Sequence, residues 1–86
     1  MTPEHMKEME DLRTGIHDID AEILNLLEIR IKYVLRVGEI KSIYDDPIYV
    51  PEVEKKKIEA LSAKCKYPGL VETIWPVIMC YARSVE

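Results

Sequence analysis

The 86 residues are 48% hydrophobic and include no Phe, which allows one domain, residues 1–86, with a modest core and leaves no room for a second. A formal net charge of −4 and a pI ≈ 5.2 give a surface that repels nucleic acid and anionic membrane, so any anion must be held by a local cluster of cations. Cys65 and Cys80 form no CxxC pair and, with His5 and His17, make no convincing zinc set. Both are expected to be reduced thiols packed as small apolar groups. The segment from Met1 to Asp11 is charged and lacks the apolar run of a secretory signal, and no apolar stretch approaches the ~20 residues that span a bilayer. The expected compartment is the cytoplasm.

Helix 1 is predicted to start at Thr2, an N-cap followed by Pro3 and Glu4, and its periodicity persists to about Ser42. Gly15 and Gly38 weaken it without ending it. Leu12, Ile19, Leu26, Tyr33 and Ile40 form one apolar heptad row, with Ile16, Ile23, Arg30 and Val37 beside it. Arg30 therefore interrupts the seam with a guanidinium that keeps its proton and is costly to bury unpaired. Lys41 follows eleven residues later, about three turns along almost the same face. Two cations facing one packed interior suit a carboxylate-bearing ligand better than they suit stability. Tyr44 to Val50 reads as a loop, Pro51 opens helix 2 with Val53, Ile58 and Leu61 as apolar positions, and Lys64 to Gly69 is the next break. Helix 3 runs from about Leu70 to the end, and Pro76 should kink it or mark its true start. The expected class is all-α, with no strand-like alternation.

The length of helix 1 bears on assembly. From Lys7 to Ser42 it would extend roughly 54 Å, whereas a globule of this chain length has a radius of gyration of about 12 Å. Either the helix breaks at a glycine or a second copy packs along it. The continuous seam favours the second copy, an intertwined homodimer.

The stretch Leu12-Arg13-Thr14-Gly15-Ile16-His17-Asp18-Ile19-Asp20, continuing through Ile23, Leu26-Leu27 and Arg30 to Val37-Gly38-Glu39-Ile40-Lys41, closely resembles the first helix of the all-helical chorismate mutases. Pro47-Ile48-Tyr49 with Glu54-Lys55 resembles their second motif. Ile74-Trp75 with Ile78-Met79 resembles the third helix, on apolar patterning alone. The resemblance covers nearly the whole chain and implies three-helix protomers intertwined as dimers. It implies as substrate the dianion chorismate, rearranged to prephenate by breaking an ether C–O bond while a C–C bond forms, with no cofactor and no metal. The protein's task is then to hold a reactive conformer and to stabilise negative charge growing on the ether oxygen. By this resemblance Arg30 binds the side-chain carboxylate, and Lys41 reaches that carboxylate and the ether oxygen. Glu54 accepts a hydrogen bond from the ring hydroxyl, and Glu86 faces the ether oxygen, so that Arg30, Lys41 and Glu86 are the catalytic candidates. Arg13 lies about 100° round the helix from Arg30 and, as in the family, would serve the partner's site.

The chain also departs from the family pattern. Val53 stands where an arginine is common, Val50 where an aspartate begins the second motif, and Ala82 where a helix 3 serine touches the ring carboxylate. The Val50 N–H, Lys57 or Arg83 are the candidates to compensate. Plainer roles exist for each candidate residue. Arg30 can set register, Lys41 can complement a helix C-terminus, Glu54 a helix N-terminus, and a terminal Glu86 can fray. Glu52 to Lys57 can be a solvated face, and Trp75 and Tyr81 core or interface aromatics. Two other functions stay open: an isochorismate-pyruvate lyase on the same fold, and a non-catalytic helical dimer.

Overall fold

The computed structural model describes residues 2–86, and the described residues form three helices and no strand: α1 (Pro3–Tyr44), α2 (Pro51–Lys64) and α3 (Leu70–Val85). No helix is long and apolar enough to cross a membrane among the described residues. The helix α1 begins as its capping chemistry dictates. Thr2 Oγ1 accepts from the His5 N–H at 3.2 Å, and the Thr2 carbonyl accepts from the Met6 N–H at 3.0 Å. Its end lies two residues beyond the expected Ser42. The Asp46 N–H bonds the Lys41 carbonyl at 2.8 Å and the Asp45 N–H bonds that of Ser42 at 3.4 Å, with Asp45 in the left-handed region at φ 56. That is a Schellman termination, in which a short polar side chain replaces the usual glycine. Neither Gly15 nor Gly38 interrupts the helix.

The chain divides into two compact units, Met1–Lys32 and Tyr33–Glu86. The first unit is the N-terminal part of α1. Its heptad residues Leu12, Ile16, Ile19, Ile23 and Leu26 are all exposed, from 48% for Ile23 to 63% for Leu26.

The second unit holds the end of α1, α2 and α3, with α2 packed on α3. Pro51 sits at the start of α2, where its missing N–H costs nothing, and the Val50 carbonyl accepts from the Val53 and Glu54 N–H groups. A hydrogen bond from the Ser62 hydroxyl to Glu72 ties α2 to α3. Gly69 precedes α3 at φ 80, a conformation that only glycine adopts freely, and its carbonyl accepts from the Thr73 N–H at 3.0 Å. Val71, Met79 and Ala82 on α3 form the buried core. Pro76 is neither a start nor a stop, because α3 runs through it and the Glu72 carbonyl forgoes its helical donor. Trp75 is half-buried and Tyr81 exposed. Both cysteines are free, but Cys80 is exposed rather than packed, since it faces away from the α2 side of α3; Cys65 is half-buried and donates to the Tyr67 carbonyl.

Candidate functional site

Within the second unit, three elements bring polar side chains together. The last turn of α1 carries Lys41, whose Nζ donates to the Ile48 carbonyl at 2.7 Å and to Glu86 Oε1 at 3.0 Å. The first contact fixes the loop before α2, and the second joins residues 45 positions apart. Neither group is solvated in the ordinary way, for the Glu86 side chain is 7% exposed and that of Lys41 21%. Glu86 is therefore held and not frayed. Its backbone N–H still bonds the Ala82 carbonyl at 3.2 Å, so it extends the α3 ladder by one residue. Gly38 is what lets it lie so close. A Cβ at that position would stand 3.1 Å from the Glu86 Cα and 3.1 Å from its carbonyl oxygen. The periodicity of helix 1 marked Gly38 only as a weak point, and its spacing one turn before Lys41 was the available signal.

Glu54, in the first turn of α2, is bound from α3. Arg83 Nη1 donates to both carboxylate oxygens of Glu54 at 2.5 Å, and the guanidinium carbon lies 4.6 Å from the centroid of the Tyr49 ring. The Glu54 hydrogen bond raises the Arg83 pKa above its ordinary value, opposed by partial desolvation. Arginine thus stays a fixed cation here.

The remaining two candidates belong to the first unit. Arg13 is exposed and makes no ion pair among the described residues. Arg30 is half-buried, and its Nη1 is fully buried with no hydrogen-bond partner among the described residues. A buried guanidinium nitrogen without an acceptor is an unmet electrostatic demand, since desolvating a cation is offset only by an anion or a lone pair. An open groove on α3, lined by Pro76, Val77, Cys80, Tyr81 and Ser84, contains none of the candidate residues.

Residues 12–86 match the type II chorismate mutases, a span that begins one residue before Arg13 and ends on Glu86. The chain belongs to the type II chorismate mutase family. It is 48% identical over 56 residues to a bifunctional chorismate mutase/prephenate dehydratase of Aquifex aeolicus, covering 65% of this chain and 16% of that protein. It is 39% identical over 86 positions to a T-protein of Enterobacter agglomerans, covering 92% of this chain and 22% of the relative. A T-protein of Haemophilus influenzae is 32% identical over 65 residues, 76% of this chain and 17% of its own length. The chain thus spans about a fifth or less of the curated relatives it matches. Against the type II chorismate mutase pattern, Val53 is 57% exposed on α2 and Ala82 is buried, so neither position offers a polar group to a ligand. Val50 caps α2 through its backbone alone.

Proposed function

We propose that this chain is a chorismate mutase, rearranging chorismate to prephenate in a site completed by a second copy of itself. The observation that carries the reading is the contact between Lys41 and Glu86 at 3.0 Å, a fixed cation beside a carboxyl group at one part-buried place. The rearrangement is intramolecular, so the protein supplies conformation and charge and not a nucleophile. In this account Arg30 grips the carboxylate of the enolpyruvyl arm through a planar fork, which the unmet donor of its buried Nη1 supports. Lys41 has three N–H donors, two of them engaged by Ile48 and Glu86, which leaves one for the same carboxylate and the ether oxygen. Negative charge grows on that oxygen as the C–O bond lengthens, and a fixed ammonium nearby lowers the barrier without reorganising. Glu86, when protonated, can donate to the same oxygen. Glu54 accepts from the ring hydroxyl and orients the ring.

The homodimer is supported by the exposed heptad residues Leu12, Ile16, Ile19, Ile23 and Leu26, which a single chain leaves in water. Burying such a row against a second copy, at roughly 25 cal/mol per Å² of apolar surface, is a large driving force. The exposed Arg13 then reaches the partner's substrate. The compartment we take is the cytoplasm, whose reducing conditions suit two free thiols.

The test is turnover by the purified chain. Chorismate should be consumed with prephenate as the product, and sedimentation should give twice the monomer mass. Release of pyruvate from isochorismate, with chorismate untouched, would point to the lyase. A folded helical dimer that turns over neither would show that the fold has been kept without the chemistry.

A further inference from the structure

Chorismate brings two carboxylates, and the residues assigned above meet only one of them. Arg30, Lys41 and the partner's contribution serve the enolpyruvyl arm, while Glu54 takes the ring hydroxyl. The ring carboxylate lacks a cation, because the position before Glu54 is the exposed Val53 and the α3 position facing it is the buried Ala82. One cation nevertheless lies against Glu54. Arg83 donates only Nη1 to it, and Nη2 and Nε have no hydrogen-bond partner among the described residues. The guanidinium is also held by the Tyr49 ring at 4.6 Å, so contacts from two elements fix where its remaining donors lie.

We infer that Arg83 binds the ring carboxylate of the substrate, with its guanidinium positioned by Glu54 and Tyr49, and so replaces from α3 the cation that α2 lacks at Val53. The inference rests on the proposed mutase reading and assigns it a further binding residue. Guanidinium geometry allows this double duty, since one nitrogen can serve Glu54 while the others fork a second carboxylate. Before substrate binds, the pairing with Glu54 keeps both groups compensated, so neither is left as a lone desolvated charge. Lys57, on α2, is the competing cation; it is exposed and has no ion-pair partner among the described residues.

The experiment compares KM and kcat for the wild type, Arg83→Ala, Arg83→Lys and the double variant Val53→Arg/Arg83→Ala. It also measures binding of chorismate and of a chorismate analogue esterified at the ring carboxylate. Arg83→Ala should raise KM at least about tenfold and lower kcat by less, the pattern of lost ground-state binding. Arg83→Lys keeps a cation beside Glu54 but not the fork, and should raise KM several-fold. Placing arginine at position 53 in the Arg83→Ala background should recover most of the loss, which a purely structural role for Arg83 would not permit. The wild type should discriminate against the ester, and Arg83→Ala should not. An unchanged KM in Arg83→Ala overturns the inference. Should that variant not fold, a wild type that binds the ester as tightly as chorismate overturns it equally. A wild type without turnover refutes the mutase reading, and the inference is then decided by calorimetry: equal chorismate affinities of wild type and Arg83→Lys would reject it.

Discussion

Replacing Gly38 by alanine should move stability and turnover in opposite directions. Within a helix interior, alanine is favoured over glycine by about 0.8–1.0 kcal/mol, and Gly38 lies six residues before the end of α1. Against that gain, the new methyl would stand 3.1 Å from the Glu86 Cα and carbonyl oxygen and 3.3 Å from its Cβ. Carbon atoms attract best at about 3.5–4.0 Å, so Glu86 must retreat by a few tenths of an ångström. It can do so, because it stands one residue beyond α3 and only its N–H ties it to the helix. The net effect on folding should be a gain of up to about 1 kcal/mol, or about 4–8 °C in Tm. The same retreat lengthens the Lys41–Glu86 contact from 3.0 Å and shifts the two groups proposed to act on the ether oxygen. Misplacement on the scale of 1 Å can cost about 100-fold, so a tenfold or greater fall in kcat is expected for a smaller shift. Thermal melts and initial rates on the same preparation decide the matter. Raised Tm with undiminished kcat would refute the placement of Glu86 at the reaction centre.

Arg30→Leu should abolish detectable turnover yet stabilise the proposed dimer by about 1–3 kcal/mol, because a half-buried guanidinium with one buried, unpartnered nitrogen gives way to a seam residue; intact turnover would reduce Arg30 to a register device. Arg30→Lys should bind substrate about tenfold or more weakly although the charge remains, as read by KM, since an ammonium cannot fork a carboxylate. Glu86→Gln should raise turnover, because its amide can donate to the developing oxyanion where a carboxylate repels it, and unchanged turnover would remove Glu86 from the mechanism. Asp45→Gly should raise stability by roughly 0.5–1 kcal/mol in denaturant melts without altering KM, since Asp45 holds a left-handed conformation at φ 56.

Local chemistry made much of this fold readable in the sequence. Thr2 and Pro3 announce the start of α1, Pro51 that of α2 and Gly69 the turn into α3, because capping and turn geometry depend on neighbours in the chain. The end of α1 ran past Ser42 because Asp45 adopts the left-handed termination usually given to glycine. Pro76 could not be resolved from sequence, since packing of Val71, Met79 and Ala82 carries α3 through one lost hydrogen bond. Arg30, Lys41 and Glu54 were marked as candidates by charges at the set spacings of a family motif, and the structure adds that Lys41 meets Glu86 and that Glu54 meets Arg83. Close approach between distant segments was not legible. Gly38 against Glu86 and Arg83 against Glu54 and Tyr49 are contacts of that kind, and no periodicity encodes them.

In the proposed enzyme two copies share each site, and its charges perform the rearrangement. Arg13→Ala and Arg30→Ala chains should each be inactive, and refolding them together in equal amounts decides whether a site is shared. Random pairing makes half the dimers mixed, and each mixed dimer holds one intact site, so about a quarter of wild-type activity should return. No recovery, with mixed dimers demonstrated by mass, would contradict the shared site and with it the assignment of Arg13 to the partner's substrate.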